Sequence, residues 1–358
     1  MVGWLESAGV ADPGRVHTEG RLARAVVEDA RDSVAALFGT RARQVIFTSG
    51  GTEAVNAATW GLTRSRPGQS VLLAGVEHSS VREASERLAP VFLIEADVRG
   101  RVYPVAVEEA AARAVAAGPV AFVHCQAANH EVGTVQPVAD VVETCGRLGL
   151  PLHMDACSFA GHLPLACDEL GADVVSVSAH KLGGPPGIGA LIVRRGLRLE
   201  PLLVGGEQER ARRAGLENVP AIIGFGAAAA ALTRSGVLEE EATSARRRTD
   251  RLLAAATAVD GVHAVGDTDG RVPHIVCVTI DGVEAEPVLL GLDQGGIAAH
   301  SGSSCSSESL APSPVLEAMG VDAERSLRLS VGWSTTDADV GAFGAVFGDV
   351  VARLRALR

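Results

Sequence analysis

The chain has 358 residues, of which 47% are hydrophobic and 21% are charged, and its formal net charge is −11. This length exceeds one usual core and predicts a large and a smaller domain, while the hydrophobic content excludes a mainly disordered chain. The acidic balance argues against a nucleic-acid partner, because nucleic-acid binding needs a basic face.

The N-terminus lacks a basic region followed by an apolar run, and no uninterrupted apolar stretch reaches about 18 residues. We therefore expect a cytoplasmic protein that does not contact a membrane. Six cysteines occur, and their spacing fits no zinc template. Five of them lie in apolar runs and are expected to be buried, whereas Cys305 lies in a polar segment rich in serine.

An α/β alternation begins with helical apolar spacing over residues 21–38. Strands are predicted at 45–47, 71–74, 91–94, 120–125, 152–154, 173–178 and 190–193, with helices between most of them. Strands separated by helices of about ten or more residues imply a largely parallel sheet. Ligands then bind at the carboxyl ends of the strands.

The second half of the chain lacks the regular α/β alternation of the first. Residues 202–215 are polar and rich in glycine, helices are predicted at 221–233 and 239–259, and the rest is α+β. We predict a large ligand-binding domain over 1–235 and a small α+β domain over 236–358. The segment 1–20 is expected to pack against the small domain or a partner subunit.

Several polar residues come directly after predicted strands: Thr52, His78, His130, Asp155, His180 and Lys181. The first of them belongs to a glycine turn between a strand and a helix, which includes Gly51. Free N–H groups at the start of a helix favour an anion such as phosphate, and the threonine hydroxyl adds a donor.

Lys181 is the only lysine in the chain, because the other basic residues are all arginines. Arginine keeps its charge but cannot form an imine, whereas a lysine can lose its proton and act as a nucleophilic amine. The residue type therefore indicates that an amine is needed here. The alternative is a lysine that survived by chance in an arginine-biased sequence.

A lone lysine beside a phosphate cradle predicts pyridoxal 5'-phosphate (PLP), whose protonated pyridine nitrogen needs a carboxylate partner. Asp155 is placed for that role, with a helix N-cap as the alternative. His78 could lie over the ring and move protons, and His180 could reach the phosphate. Ser178 is a further candidate, although each of these residues could serve the structure alone.

Two further residues suggest substrate chemistry. An exposed thiol such as Cys305 is a liability unless it is used, and a loop can carry a thiolate to a substrate and away again. Arg328 lies in an otherwise apolar strand and could grip a substrate carboxylate with two hydrogen bonds. The alternatives are an incidental surface cysteine and a structural ion pair.

Together the motifs resemble the cysteine desulfurases, PLP enzymes of fold type I in the class V aminotransferase group. The resemblance is carried by Ser178-Ala-His-Lys181, Ser49-Gly-Gly-Thr-Glu53, Glu77-His78, Asp155-Ala156, Gly205-Gly-Glu-Gln-Glu-Arg210, Ser301-Gly-Ser-Ser-Cys305 and Arg328-Leu-Ser-Val-Gly332. The Ser-Gly-Ser-x-Cys segment is similar to the group with a long mobile cysteine loop.

The resemblance implies a homodimer that acts on L-cysteine, gives L-alanine and passes sulfur to an acceptor protein. It implies that Lys181 binds the cofactor covalently and acts as base, that His78 stacks on the ring, and that Cys305 receives the sulfur as a persulfide. The cofactor would be held by Gly51, Thr52, His130, Asp155, Ser158, Ser178 and His180, and the substrate by Asn129 and Arg328. No metal is implied.

Three positions depart from the family pattern. His130 replaces an asparagine, Ser158 replaces a glutamine, and Leu216 replaces the threonine that the partner subunit usually offers to the phosphate. These changes keep two alternatives open: a PLP-dependent C–S or C–Se lyase that does not need Cys305, and a degenerate, non-enzymatic partner protein.

Overall fold

The computed structural model describes residues 1–7, 11–301 and 312–357. Within these ranges the helices are α1 (Val2–Ser7), α2 (Thr18–Leu37), α3 (Gly51–Ser65), α4 (Ser79–Leu88), α5 (Pro104–Ala117), α6 (Val138–Leu148), α7 (Cys167–Leu170), α8 (Gln208–Ala211), α9 (Val219–Leu232), α10 (Val237–Thr257), α11 (Ala285–Gln294), α12 (Pro314–Ala318) and α13 (Asp337–Ala356). The strands are β1 (Val45–Thr48), β2 (Ser70–Ala74), β3 (Val91–Ile94), β4 (Val120–His124), β5 (Leu152–Asp155), β6 (Val174–Ser178), β7 (Gly189–Val193), β8 (Val262–Val265), β9 (Ile275–Ile280), β10 (His300–Ser301) and β11 (Ser326–Ser330).

The large sheet has seven strands in the order β1-β7-β6-β5-β4-β2-β3. Strands β2 to β6 pair in parallel, whereas β7 runs antiparallel to both β1 and β6. This confirms the predicted fold class, an α/β domain with a mostly parallel sheet. Because the parallel strands point the same way, the residues that follow β2, β4, β5 and β6 meet at one edge.

Helices cover both faces of this sheet, which explains why its strands read as nearly continuous apolar runs. On one face α2 and α9 pack together, with Val34, Phe38 and Phe225 fully buried beneath them. On the other face Ala58 of α3 packs near Phe122 and Leu191. The sheet is thereby held between two helical layers, and its carboxyl edge carries the site.

A second sheet has four antiparallel strands in the order β10-β11-β9-β8. Helices α10, α11 and α13 pack over it around a separate apolar core that includes Phe343 and Phe347. The predicted limit at residue 235 falls in the turn between α9 and α10, and the domain limits stay a prediction. In the N-terminal segment, Trp4 is partly buried against the core of the large sheet.

A buried ion pair fixes the polar segment that precedes α9. The guanidinium of Arg31 donates to both carboxylate oxygens of Glu209 at 2.6 and 2.7 Å, and Glu209 also accepts from the backbone N–H of Phe47 at 2.9 Å. Glu209, Arg210 and Ala211 all have positive φ angles, of 48°, 60° and 60°. Such backbone is strained for residues other than glycine, so the buried pair is what holds this turn in place.

Among the described helices, none alone is long and apolar enough to cross a membrane. One pair, Val219–Leu232 with Val237–Thr257, passes that test jointly by length and composition, with a bend of 85° between the two helices.

Candidate active site

A cavity of about 320 Å³ lies at the carboxyl edge of the large sheet. Its walls include nearly all the residues that the sequence predicts for the site: Gly51, Thr52, His78, His130, Asp155, Ser158, Ser178, His180, Lys181 and Arg328. Side chains from the end of β2, β5 and β6 and from β11 of the second sheet thus meet in one place. The size lies at the lower end of the range for small-molecule sites, about 300–1,000 Å³.

One end of the cavity is the N-terminus of α3. Gly51 and Thr52 lie in its first turn, and Ser178 and His180 lie beside it, with the serine hydroxyl 2.9 Å from the histidine Nδ1. A Cβ at Gly51 would stand 2.6 Å from Sγ of Cys157, so glycine is what leaves the backbone N–H groups open to the cavity. This end fits the phosphate of a cofactor.

Two imidazoles form another wall. His78 caps α4, and its Nδ1 accepts from the backbone N–H of Ser80 at 3.1 Å, so the neutral ring carries its proton on Nε2. The ring of His130 stands edge-on to it, with 4.8 Å between centroids. Burial, and then the neighbouring His130, lowers the pKa of His78 to about 4. His78 is therefore neutral near pH 7.

Asp155 ends β5 and faces the cavity. Its Oδ1 accepts from the backbone N–H of Cys157 at 3.0 Å and from the hydroxyl of Ser176 at 3.2 Å. The carboxyl of Glu77 is fully buried nearby, and burial followed by the charge of Asp155 raises its pKa well above the usual range.

This donor set suits PLP: a carboxylate for the pyridine nitrogen, the amine of Lys181 for the aldehyde, and helix N–H groups for the phosphate. The side chains of His180 and Lys181 are exposed in this chain, at the mouth of the cavity. Burial, and then the charge of Lys181, lowers the pKa of His180.

The structure does not bring Asn129 into the cavity. Its side chain is fully buried, where Nδ2 donates to the carbonyl of Val76 and Oδ1 accepts from the N–H groups of Glu131 and Val132. Asn129 therefore shapes the turn that presents His130, and its predicted substrate contact stays a prediction.

Of the two residues predicted to act on the substrate, Arg328 is described by the structure and Cys305 is not. Arg328 lies on β11, lines the cavity, and donates from Nη1 to the carbonyl of His130 at 3.0 Å. Cys305 lies outside the described residues. The segment before it, β10, pairs with β11 so that His300 is opposite Arg328.

The sequence analysis did not predict some residues of the cavity wall. These are Ser80, Gln126, Ala128, Cys157 and His300. The expectation that Cys157 is a buried structural cysteine is wrong, because it is only partly buried and lines the cavity. Its position two residues after Asp155 was the available signal. The other four cysteines from the apolar runs, at positions 125, 145, 167 and 277, are buried.

Comparison with known proteins agrees with this site. Residues 6–343 match the family model of class-V aminotransferases. A cysteine desulfurase, IscS 1, of Archaeoglobus fulgidus is 37% identical over 97% of this chain and 91% of its own length. A solved NifS-like protein superposes with a TM-score of 0.88 at 26% identity, over 99% of this chain and 94% of that one. A structure described as SspA in complex with cysteine has a TM-score of 0.77 at 26% identity, over 92% of both chains.

The fold and the site define a class-V aminotransferase type of enzyme. Within that class, the chain belongs to the cysteine desulfurase family. Members of this family are PLP-dependent, and the residues present here fit that cofactor.

The buried histidines predict a strong pH dependence of stability. Burial first of all lowers the pKa of His78, His153 and His162 to about 4 and of His274 to about 2. Below the unfolded value of about 6.5, the unfolded chain binds protons that the folded chain refuses. The free energy of unfolding should therefore fall as the pH drops from 6.5 towards 4, by about 1.4 kcal/mol per pH unit for each such histidine.

Denaturant titrations between pH 7.5 and 5.0 measure this slope. His162 lies outside the cavity, where its ring stacks on that of His274 at 3.5 Å. The variant His162→Phe removes one of the histidines whose pKa is lowered. It should therefore reduce the slope by about 1.4 kcal/mol per pH unit, the value for one proton. The exposed His263 provides the matched control, and His263→Gln should leave the slope unchanged. A wild-type stability that is flat across this range would contradict the burial of neutral histidines.

Proposed function

We propose that the enzyme converts L-cysteine to L-alanine and transfers the sulfur to Cys305 as a persulfide, for onward delivery to an acceptor protein. The observation that carries the proposal is the convergence of Lys181, Asp155, His78 and Arg328 on one cavity of a chain in this family. The structure described as SspA in complex with cysteine supports the choice of substrate.

PLP, when bound, accepts the electron pair that the α-carbon of the substrate releases. Lys181 supplies the amine that holds the cofactor and then takes the α-proton. Asp155 holds the proton on the ring nitrogen. His78, with Nδ1 accepting from Ser80 and the proton on Nε2, would face the ring of the cofactor and exchange a proton with the substrate.

The sulfur step needs a nucleophile with a free thiolate. The thiolate of Cys305 attacks the sulfur of the substrate, the C–S bond breaks, and its electron pair stays with the substrate carbon, which takes a proton to become alanine. The C–S bond of L-cysteine is thereby cleaved without any external oxidant or reductant. Cys305 is left as a persulfide, which a thiol of an acceptor protein can take over.

We expect Cys305→Ala to abolish persulfide formation and to reduce alanine release from L-cysteine at least about 100-fold, since nucleophilic catalysis is lost. Mass spectrometry of the protein and an alanine assay measure both. Borohydride trapping of the cofactor on Lys181 confirms that the variant is loaded.

Cys157→Ala is the matched control for this experiment. Burial, followed by the charge of Asp155, raises the pKa of the Cys157 thiol well above its usual range, so it is a poor nucleophile. The control should keep persulfide formation. Full sulfide release by Cys305→Ala would reject the persulfide route and favour the C–S lyase.

Arg328 is proposed to bind the α-carboxylate of the substrate. Lysine keeps the charge but not the planar pair of donors, so Arg328→Lys should raise KM for L-cysteine about tenfold or more. Arg325, an exposed residue just before the same strand, offers the matched change Arg325→Lys. Steady-state kinetics on L-cysteine that gave the same KM for wild type and Arg328→Lys would remove Arg328 from this role.

The homodimer is proposed from the surface around the turn held by Arg31 and Glu209. Leu203, Val204 and Leu216 are 41%, 77% and 57% exposed there, an apolar group that a second copy of the chain would cover. A groove of about 700 Å³ that includes Leu203 lies beside them.

Sedimentation equilibrium tests the dimer directly. The wild type should have twice the chain mass of 36.7 kDa, and the double variant Val204→Asp and Leu216→Asp should have the mass of one chain. Val98 is also 77% exposed but lies far along the chain in the loop after β3, so Val98→Asp should remain dimeric. A wild type that sediments as a single chain at micromolar concentration would contradict the proposal.

A further inference from the structure

A chain of buried polar side chains runs from α3 to Asp155, behind the wall of the cavity. Thr59, His124, His153 and Ser176 are each 0% exposed, and none of them lines the cavity. Oγ1 of Thr59 lies 3.3 Å from Nε2 of His124, the two histidine Nδ1 atoms are 2.7 Å apart, and Nε2 of His153 lies 3.2 Å from Oγ of Ser176. The serine hydroxyl donates to Asp155 Oδ1 at 3.2 Å.

Strand register brings these residues together. His124 on β4 is paired with His153 on β5, and Asp155 on β5 is paired with Ser176 on β6. Side chains two apart on a strand share a face, so His153 and Asp155 point to the same side of the sheet. Helix α3 covers that side and brings in Thr59.

Both histidines are neutral near pH 7. Burial lowers the pKa of His153 to about 4, with the charge of Asp155 opposing the shift, and burial followed by His153 lowers the pKa of His124 well below its usual value. A neutral imidazole has one N–H and one bare nitrogen. The contact between the two Nδ1 atoms therefore holds a single proton, since two N–H groups or two bare nitrogens would repel each other at this distance.

Only two proton arrangements satisfy that contact. In the first, His124 donates from Nδ1, His153 donates from Nε2 to Ser176, and the serine hydroxyl donates to Asp155. In the second, His153 donates from Nδ1 to His124, the bare Nε2 of His153 accepts a hydrogen bond from the hydroxyl of Ser176, and that hydroxyl no longer donates to Asp155. The hydroxyl of Thr59 has one proton to give: in the first arrangement it donates to the bare Nε2 of His124, whereas in the second it accepts from that nitrogen and donates to the carbonyl of Val55 at 2.8 Å.

The charge on Asp155 selects the first arrangement, because a hydrogen bond to a carboxylate is stronger than one to a neutral nitrogen. The ionisable groups that interact with Asp155 include Glu77, His78, His153 and Cys157, and Lys181 lines the same cavity. The pKa values of the two histidines are lowered to about 4 and that of Cys157 is raised, so these three are uncharged near pH 7, while burial raises the pKa of Glu77 as well. Asp155 is the charge to which the chain of donors responds.

We propose that Thr59, His124, His153 and Ser176 form a histidine relay, a set of positioning residues that fixes the direction of the Ser176 hydroxyl and aims its proton at the Asp155 carboxylate. This rests on the proposed function, in which Asp155 keeps the ring nitrogen of PLP protonated. The relay thereby sets how strongly the cofactor withdraws electrons, although none of its members reaches the cavity.

The apoprotein tests the proton arrangement without the cofactor. Nitrogen-15 spectra of the imidazoles should show His124 protonated on Nδ1 and His153 protonated on Nε2. In Asp155→Ala the serine loses its acceptor, and the two histidines should exchange tautomers. The proposal is overturned if the wild type shows His153 protonated on Nδ1, or if Asp155→Ala leaves both tautomers as they were.

The loaded enzyme tests the consequence, with PLP labelled with nitrogen-15 in its ring. Ser176→Ala removes the last donor and leaves more negative charge on the carboxylate towards the ring, so the pH at which the ring nitrogen loses its proton should rise by about one unit, the size expected for one hydrogen bond to a charged group. Ser85→Ala is the matched control, since the Ser85 hydroxyl is also fully buried but donates only to the backbone carbonyl of Val81.

Thr59→Val tests the far end of the relay. Without the hydroxyl of Thr59, His124 keeps only its Nδ1 contact with His153. The pH at which the ring nitrogen of PLP loses its proton should therefore move in the same direction as in Ser176→Ala, but by less. Thr63 lies one turn further along α3 and its buried hydroxyl has no hydrogen-bond partner among the described residues, so Thr63→Val should change nothing.

The outcomes separate the two proposals. A wild type that takes up no PLP rejects the proposed function, and the apoprotein spectra then still decide the proton arrangement. A loaded wild type with an unchanged ring-nitrogen midpoint in Ser176→Ala rejects the relay alone. A midpoint that moves equally in Ser85→Ala and Ser176→Ala shows a general loss of packing and also rejects it.

Discussion

The parallel register of β4, β5 and β6 is the constraint on which the rest of the site depends. Because side chains alternate along a strand, one step of slippage would turn Asp155 away from the cavity and part it from Ser176. The same register pairs His124 with His153. The strands are buried on both faces, so the packing of their apolar residues fixes this register. The register in turn determines where the polar side chains lie.

Local sequence was enough to predict much of this arrangement. Apolar runs gave the strands, and the polar residues that follow them had to meet at one edge, which is why Lys181, Asp155 and His78 were found together. The histidine relay was not predictable in the same way, because its contacts join strands far apart in the chain and depend on pairing register. The burial of Asn129 was equally unpredictable, because it depends on contacts with Val76, Glu131 and Val132, whereas its neighbour His130 lines the cavity.

The three residues that depart from the family pattern lie at the cavity wall or on the surface. His130 stands against His78, so a position expected to hold a neutral amide instead holds a second ring. Its presence lowers the pKa of His78 in addition to the effect of burial, which favours the neutral form in proton exchange. Ser158 also lines the cavity, with less reach than a glutamine. Leu216 is exposed, where an apolar residue suits a subunit contact better than solvent.

The charge pattern also distinguishes the two thiols. Burial, and then the charge of Asp155, raises the pKa of the Cys157 thiol well above its usual range, which keeps this thiol of the cavity wall protonated. Burial, and then the same carboxylate, also raises the pKa of Glu77 well above its usual range. A thiol fixed next to Asp155 would therefore be a poor sulfur acceptor. The high pKa of the Cys157 thiol is a physical reason to assign Cys157 to the cavity wall, and it agrees with the proposal that the sulfur acceptor is another cysteine, Cys305.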